Sequence, residues 1–296
     1  MRPWIIGFLL FAAASAGYAK TSPGKVYTYK DDNGTPRQME IYFPEDHDPA
    51  EASVPGIIMF HGGGWSGGNR FQFRYLCNYF ASRGLVAATA SYELAPKNKA
   101  DKTWDGSRKR PCVIDAKSAI RWYKKNTKEL GIDPDRIIGG GGSAGGHICL
   151  VATNNTTLND PDDDTSIDTS VVAYLLFNPA VNADEGPDKE VDPLTHIGDN
   201  LPPAIAFWGT EDKWLKGWKP FHAGLKKRGI DSLEVWEAGG QTHAFFNKQP
   251  WLDVTIAEAD RFLNRLGLIE GEPTLPTPKT GEKVVKQKKS GVTPAQ

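Results

Sequence analysis

A serine surrounded by glycines is the residue of this sequence best suited to covalent chemistry. The segment GGGGSAGGH sets Ser143 in a Gly-x-Ser-x-Gly pattern with Gly141 and Gly145, between an apolar stretch at 136–138 and a helical one at 144–152. A strand–serine–helix turn strains the serine backbone and lifts its hydroxyl above the sheet. The pattern predicts a nucleophilic serine. A plain glycine-rich turn and a phosphate-binding loop are the alternatives, and the second is disfavoured because Gly-Lys-Ser/Thr is absent.

Such a serine needs a base and an acid to become reactive. Its hydroxyl is a poor nucleophile until a base accepts its proton and a carboxylate orients that base. In sheets of this kind the chain order is serine, acid, histidine. Asp212 follows the apolar stretch 204–208, and His243 lies in a loop after 233–236. Both positions lie beyond the carboxyl ends of predicted strands, where open α/β sheets bind ligands. We therefore predict a catalytic set of Ser143, Asp212 and His243.

Other acids and histidines compete poorly for these roles. Glu211, next to Asp212, is the rival acid. His147 lies four residues after Ser143 on the same predicted helix, so we expect it to pack or cap. Three further histidines have no glycine-rich loop at a strand end beside them: His47, His196 and His222.

A second glycine run supplies candidate oxyanion donors. The segment HGGGW directly follows the apolar stretch 55–60. Consecutive glycines expose backbone N–H groups, and each such donor is worth about 3–4 kcal/mol in the transition state. We expect the donors to be the amides of Gly63, Gly64 and Ala144, the last directly after the nucleophile. Trp65 is predicted to line the substrate pocket, with anchoring of the loop as the alternative.

The elements that must position these residues alternate along the chain. Two alternating stretches, 25–29 and 38–43, flank Asn33-Gly34 and predict a β-hairpin. Apolar strands and amphipathic helices then follow one another, which is typical of an α/β fold with a mostly parallel, doubly wound sheet. The remaining predicted strands are 55–60, 85–90, 136–138, 171–177, 204–208 and 233–236, and the predicted helices are 71–83, 113–125, 144–152, 221–227 and 252–266.

Composition sets the domain plan and excludes one class of partner. The chain has 296 residues, of which 39% are hydrophobic, and a formal net charge of −1. This length and composition suit one large globular domain, predicted over residues 20–268. Near-neutral charge argues against nucleic acid as a main partner. Residues 269–296 are rich in Pro, Thr and Lys, so we expect a disordered tail. The oligomeric state is left open.

The first 19 residues have the organisation of an export signal. Arg2 gives a positive start, residues 4–14 an apolar core, and residues 17–19 a small-residue cleavage site. The apolar run is short for a bilayer span. We therefore expect a secreted or periplasmic protein with no stable membrane insertion after cleavage. A retained membrane anchor is the alternative.

Neither the cysteines nor the acidic run at 160–164 predicts a metal or cofactor. Cys77, Cys112 and Cys149 form no CxxC pair, which argues against a zinc ribbon or a redox dithiol. A disulfide between Cys77 and Cys112 is left open. The run DPDDD lacks the glycine and terminal glutamate of an EF-hand, so we expect a solvated loop.

Four motifs taken in order resemble a known family. HGGGW (61–65), GGSAGGH (141–147), GTED (209–212) and THAFFN (242–247) are similar to those of α/β-hydrolase esterases, closest to the bacterial feruloyl- and acetylxylan-esterase-like branch related to hormone-sensitive lipase. The resemblance covers roughly residues 25–268. It implies an α/β-hydrolase fold without a large cap domain, because the hairpin starts soon after the signal.

The resemblance implies a serine carboxylesterase that needs no cofactor and acts on small esters or on acetyl or feruloyl esters of plant polysaccharide. Two departures from hormone-sensitive-lipase-like enzymes stand out: Gly142 replaces the acid that usually precedes the serine, and Asp212 lacks the usual Asp-Pro-Leu context. An amidase, formamidase or prolyl-peptidase-like hydrolase is the enzymatic alternative. A non-catalytic binding protein on the same fold is the remaining one.

Overall fold

A nine-stranded sheet forms the centre of the molecule. The computed structural model describes residues 24–32, 34–95, 107–182 and 186–287. The sheet order is β1-β2-β4-β3-β5-β6-β7-β8-β9. The strands are β1 (Lys25–Asp32), β2 (Thr35–Tyr42), β3 (Val54–Phe60), β4 (Val86–Ala90), β5 (Ile132–Gly142), β6 (Ala173–Phe177), β7 (Ala204–Gly209), β8 (Leu233–Ala238) and β9 (Val284–Lys286).

The strand directions confirm the predicted fold class. Strands β3 to β8 pair in parallel, whereas β1, β2 and β9 pair antiparallel at the two ends of the sheet. Strands β4, β6 and β7 are buried at every position, as expected for parallel strands covered on both faces. The carboxyl ends of these strands therefore meet along one edge, where the candidate site residues follow them.

Helices cover both faces of the sheet. Alternate residues of β3 enter different cores: Ile58 and Phe60 face one cluster, and Ile57 and Met59 face the other. Helices α1 and α7 pack in the second cluster, and α2, α4 and α6 pack in the first. The helices are α1 (Arg74–Ser82), α2 (Arg110–Lys125), α3 (Thr127–Leu130), α4 (Ala144–Asn154), α5 (Pro193–His196), α6 (Leu215–Lys227) and α7 (Trp251–Arg265).

The cysteines do not form the disulfide that the sequence left open. All three are free and buried. Cys77 belongs to the core on one face of the sheet, and Cys112 to the core on the other. The sheet therefore separates the two thiols.

The expectation of a disordered tail from residue 269 is wrong for residues 269–287. Arg83 donates to the carbonyls of Glu270 and Gly271, at 2.7 and 3.0 Å. Val284 is 9% exposed, and β9 pairs with β8 at the sheet edge. Main-chain pairing on an open edge needs little side-chain area, which is why composition did not reveal it. Residues 288–296 lie outside the described part.

The structure bears differently on the predicted leader, on membrane insertion and on the acidic run at 160–164. The predicted leader, residues 1–19, lies outside the described residues. Within the described ranges, no helix is long and apolar enough to cross a membrane. The acidic run is partly solvated, as expected: Asp162 and Asp164 are exposed, whereas Asp160 pairs with Lys30 and Asp163 pairs with Arg121 at 2.7 Å.

Candidate active site

Ser143 occupies a strained turn between β5 and α4. Its backbone has φ 51° and ψ −118°, a conformation that non-glycine residues rarely adopt. The two main-chain groups of Ser143 are held by the segment after β6, with its N–H donating to the Phe177 carbonyl at 2.9 Å and its carbonyl accepting from Ala180 at 2.8 Å. Because several contacts impose the strain, the hydroxyl is fixed at the carboxyl edge of the sheet.

The neighbouring glycines allow a close approach that any side chain would block. A Cβ on Gly145 would stand 1.9 Å from the Phe60 carbonyl oxygen, and one on Gly141 would stand 2.5 Å from the Gly145 carbonyl carbon. The glycines that precede Ser143 pair on both sides as part of β5. The alternative of a plain glycine-rich turn is therefore wrong.

The structure brings Ser143, His243 and Asp212 into one hydrogen-bonded line. Ser143 Oγ lies 2.8 Å from His243 Nε2, and His243 Nδ1 lies 2.7 Å from Asp212 Oδ2. The other oxygen of Asp212 accepts from the Trp214 N–H at 2.9 Å. A carboxylate only accepts, so Nδ1 of His243 carries the proton and Nε2 is free to take one. The Asp212 side chain is fully buried, whereas that of His243 is 24% exposed.

The rival residues lie elsewhere. Glu211 is exposed and makes no contact with His243 in the described structure. The other histidines are engaged away from Ser143. His47 bonds the Leu130 carbonyl, and His222 stacks on Trp218. His196 bonds Asn155 and the Lys189 carbonyl.

The glycine run after β3 passes directly against the serine. A Cβ on Gly62 would stand 3.2 Å from the Ser143 Cβ. Gly63 and Gly64 are exposed and have φ of 126° and 61°, values that favour glycine. Among the described residues, no acceptor is recorded for the amides of Gly63, Gly64 and Ala144. Free amides on two sides of a serine hydroxyl can receive an oxygen that becomes negative.

A buried histidine, His61, holds this glycine run through a hydrogen bond to its first glycine. The ring of His61 stacks on Tyr92 at 4.2 Å, and Nδ1 contacts the Gly62 carbonyl at 2.7 Å. Burial lowers the pKa of His61 to about 4, even though the Gly62 carbonyl favours the proton. The ring is therefore neutral at neutral pH, and its N–H donates to the run.

Trp65 is buried and takes the anchoring role predicted as the alternative to lining the substrate pocket. The side chain is 5% exposed, and the indole N–H donates to His147 Nδ1 at 3.2 Å. His147 in turn donates from Nε2 to the Val191 carbonyl at 2.8 Å. Burial, together with the charge of Lys109, lowers the pKa of His147 well below its usual value. Trp65 thus anchors the glycine run to α4 through a neutral histidine.

Sequence reasoning missed three residues around the site. Asn178, fully buried after β6, accepts the Ala244 N–H on Oδ1 at 3.0 Å. Gln72 accepts the Gly62 N–H at 2.6 Å, and the Trp214 ring lies 6.2 Å from that of His243. Only Asn178 has a local signal, since Asn-Pro after an apolar strand indicates a turn. Gln72 and Trp214 carry no motif.

The described residues contain no group of three or more His, Cys, Asp or Glu side chains that could hold a metal ion. The line of Ser143, His243 and Asp212, with free amides beside it, can by itself move a proton and hold an oxyanion.

Known proteins share this architecture. The BD-FAE family model matches residues 39–182. The thermophilic esterase Est2 of the Planctomycetes species Thermogutta terrifontis, bound to propionate, is 33% identical, with a TM-score of 0.76, over 86% of this chain and 98% of that one. Its butyrate-bound form is 32% identical over the same shares, with a TM-score of 0.75. Thermogutta terrifontis esterase 2 phosphorylated by paraoxon is 33% identical over 86% of this chain and 98% of that one, with a TM-score of 0.75.

Proposed function

Since the chain belongs to the BD-FAE family of α/β-hydrolase esterases, we propose that it cleaves carboxylic esters through an acyl-enzyme formed on Ser143. It is a serine carboxylic ester hydrolase. The observation that carries the proposal is the line of contacts from Ser143 Oγ to His243 Nε2 and from His243 Nδ1 to Asp212, at 2.8 and 2.7 Å.

Acylation begins with a proton transfer. His243 Nε2 takes the Ser143 proton as Oγ bonds to the ester carbonyl carbon, and the carbonyl π electrons move onto oxygen. The amides of Gly63, Gly64 and Ala144 hold that oxyanion. Asp212 stabilises the imidazolium. The oxyanion then collapses, the carbon–oxygen bond to the alcohol breaks, and the imidazolium protonates the departing oxygen.

Deacylation repeats these steps with water. His243 takes a proton from water as its oxygen attacks the acyl carbon, and the same amides hold the new oxyanion. When the oxyanion collapses, the bond to Ser143 Oγ breaks and Oγ recovers a proton from the imidazolium. The acid leaves, and the enzyme returns to its starting state.

We propose small acyl groups as the first substrate class. The Est2 structures hold propionate and butyrate, which supports short-chain esters. Acetyl and feruloyl esters of plant polysaccharide are the finer proposals, supported by the motifs and by the match to the BD-FAE model. Rates on nitrophenyl acetate, nitrophenyl butyrate, methyl ferulate and acetylated xylan, measured side by side, test these classes. Failure on all four with turnover of an aryl amide favours the amidase alternative.

Labelling with an organophosphate tests the nucleophile directly. The relative phosphorylated by paraoxon makes this reagent suitable. We expect one phosphoryl adduct on the wild-type chain and on Ser82→Ala, which removes an exposed serine on α1. We expect none on Ser143→Ala. An adduct that persists on Ser143→Ala contradicts the assignment, and no adduct on the wild type favours a non-catalytic binding protein.

We also propose that residues 1–19 export the protein to the periplasm or medium. The positive start, apolar core and small cleavage site support this. N-terminal sequencing of the protein from a bacterial periplasmic fraction should begin at Lys20. An intact N-terminus in the membrane fraction favours a retained anchor instead.

A further inference from the structure

Two loops from distant parts of the chain are joined by a side-chain bridge beside Ser143. The loop after β3 carries the proposed oxyanion donors, and the loop after β8 carries His243. Gln72 Oε1 accepts the Gly62 N–H at 2.6 Å, and Gln72 Nε2 donates to Asn247 Oδ1 at 3.1 Å. Gln72 and Asn247 are 175 residues apart in sequence. The bridge therefore joins the two loops that must act on the same substrate atom.

The hydrogen bonds of the bridge run in one direction. Asn247 Nδ2 donates onward to the Ala244 carbonyl at 3.2 Å. Each side-chain amide thus accepts with its oxygen and donates with its nitrogen, and a flip of either one would bring two donors or two acceptors together. The amide at position 72 supplies both halves at neutral pH, whereas an ionised glutamate there would supply only the acceptor.

The relay ends on the residue after His243. The Ala244 carbonyl accepts from Asn247, and the Ala244 N–H donates to Asn178 Oδ1 at 3.0 Å. Ala244 has φ 65°, in the left-handed region that favours glycine. Asn178 keeps a buried side-chain nitrogen with no partner in the described structure, so its oxygen is the useful atom. Both main-chain groups of a strained residue are thereby held by side-chain amides.

The location of the bridge separates its role from general stability. Asn247 is exposed and Gln72 is only half-buried, so water competes for their hydrogen bonds and they add little to folding. The same hydrogen bonds can matter much more for the rate, because a misplacement of about 1 Å in a catalytic group costs about 100-fold in rate. Gly62 lies against Ser143 and directly precedes Gly63 and Gly64 in the chain. The orientation of its peptide therefore sets the direction of the two following amides.

We propose that Gln72 is a positioning residue. Through Asn247 it holds the loop after β3, which carries the proposed oxyanion donors, in a fixed position relative to the loop of His243. The inference rests on the proposed function. The Gly62 amide is committed to Gln72 and leaves the oxyanion to its neighbours. Substrate binding does not depend on the bridge, so its loss lowers kcat and leaves KM nearly constant.

Single and double variants test the coupling. We expect Gln72→Ala and Asn247→Ala each to lower kcat on nitrophenyl acetate about 10- to 100-fold, with KM within about twofold. Since either variant breaks the same bridge, the double variant should be no more than about threefold worse than the poorer single one. Gln287→Ala is the matched control, because that side-chain amide is exposed and bonds Glu237 of β8 rather than either of the two loops. Its kcat should equal that of the wild type.

Gln72→Glu gives a readout that a merely structural role would not produce. An ionised glutamate still accepts from Gly62 but cannot donate to Asn247, and its charge opposes the oxyanion. A protonated glutamate restores both hydrogen bonds. The ratio of kcat for Gln72→Glu to that of the wild type should therefore rise at least twofold between pH 7.5 and pH 5, where about one sixth of an ordinary glutamate is protonated. Melting temperatures identify any variant that is not folded, and this isosteric variant then stands in for the alanine ones.

The outcomes separate a failure of the positioning role of Gln72 from a failure of the proposed function. A wild-type enzyme that neither turns over esters nor takes a phosphoryl adduct contradicts the proposed function. An active wild type with kcat of Gln72→Ala and Asn247→Ala within twofold, or additive losses in the double variant, or a flat pH ratio for Gln72→Glu, overturns the positioning role and leaves the proposed function intact.

Discussion

Replacing Asp212 by asparagine is expected to reverse the tautomer of His243. One oxygen of Asp212 faces His243 Nδ1 and the other accepts from the Trp214 N–H. In Asp212→Asn only one oxygen remains. If it stays on Trp214, the new NH₂ group faces Nδ1, which must then accept. The proton of His243 moves to Nε2, and this nitrogen can no longer take the proton of Ser143.

The expected loss of kcat follows from the energy needed to keep the productive tautomer of His243, which requires the asparagine side chain to turn over. Turning the asparagine to keep its oxygen on His243 Nδ1 leaves two donors facing each other, its own NH₂ and the Trp214 N–H. Each buried donor without an acceptor costs about 1–3 kcal/mol. Two of them, about 2–6 kcal/mol, disfavour the productive arrangement roughly 30-fold to 10⁴-fold. The lost charge beside the imidazolium adds to this, so we expect kcat to fall about 10³- to 10⁴-fold.

Steady-state hydrolysis of nitrophenyl acetate measures the effect, with circular dichroism to verify folding. Glu211→Gln is the matched control, because it makes the same chemical change at the exposed neighbouring residue. Its kcat should stay within twofold of the wild type. A loss below tenfold in a folded Asp212→Asn enzyme would refute the tautomer argument.

Three further outcomes concern stability, measured by chemical unfolding. Gly145→Ala puts a Cβ 1.9 Å from a backbone oxygen and should cost at least about 3 kcal/mol, while Gly198→Ala, with open space around it, should be neutral. The folded-state pKa of His61, about 4, lies below the ordinary 6.5, so the unfolded chain takes up the proton first as pH falls. The stability that the neutral His61 ring contributes should therefore be complete above pH 6.5 and fall by about 3 kcal/mol towards pH 4, at about 1.36 kcal/mol per unit. His61→Asn should remove this contribution and leave those of His147 and His222, whose pKa values are also lowered. Arg83→Ala leaves the fully buried carboxylate of Asp260 without its cation and should cost about 3–5 kcal/mol; a cost below 1 kcal/mol would contradict this.

The sequence predicted the elements and the three reacting side chains because their signals are local. Ser143, Asp212 and His243 each lie just after an apolar strand, and parallel strands bring their carboxyl ends to one edge. The anchoring contact of Trp65 could not be predicted because its partner, His147, is 82 residues away. The tail was misassigned because edge pairing with β8 uses the backbone, which every residue type has.

The strand order explains why Asn178 and its neighbours contact both the turn of Ser143 and the loop of His243. Strand β6 lies between β5, which ends at Ser143, and β7, which leads to Asp212. Adjacent strands are about 4.8 Å apart, so the residues after β6 must pass between nucleophile and acid. Phe177 and Ala180 hold Ser143, while the Asn178 N–H donates to the Phe207 carbonyl of β7. The Asn178 side chain reaches on to the loop of His243. Strand β6 thus supplies no reacting group, yet residues at its carboxyl end contact both the turn of Ser143 and the loop of His243.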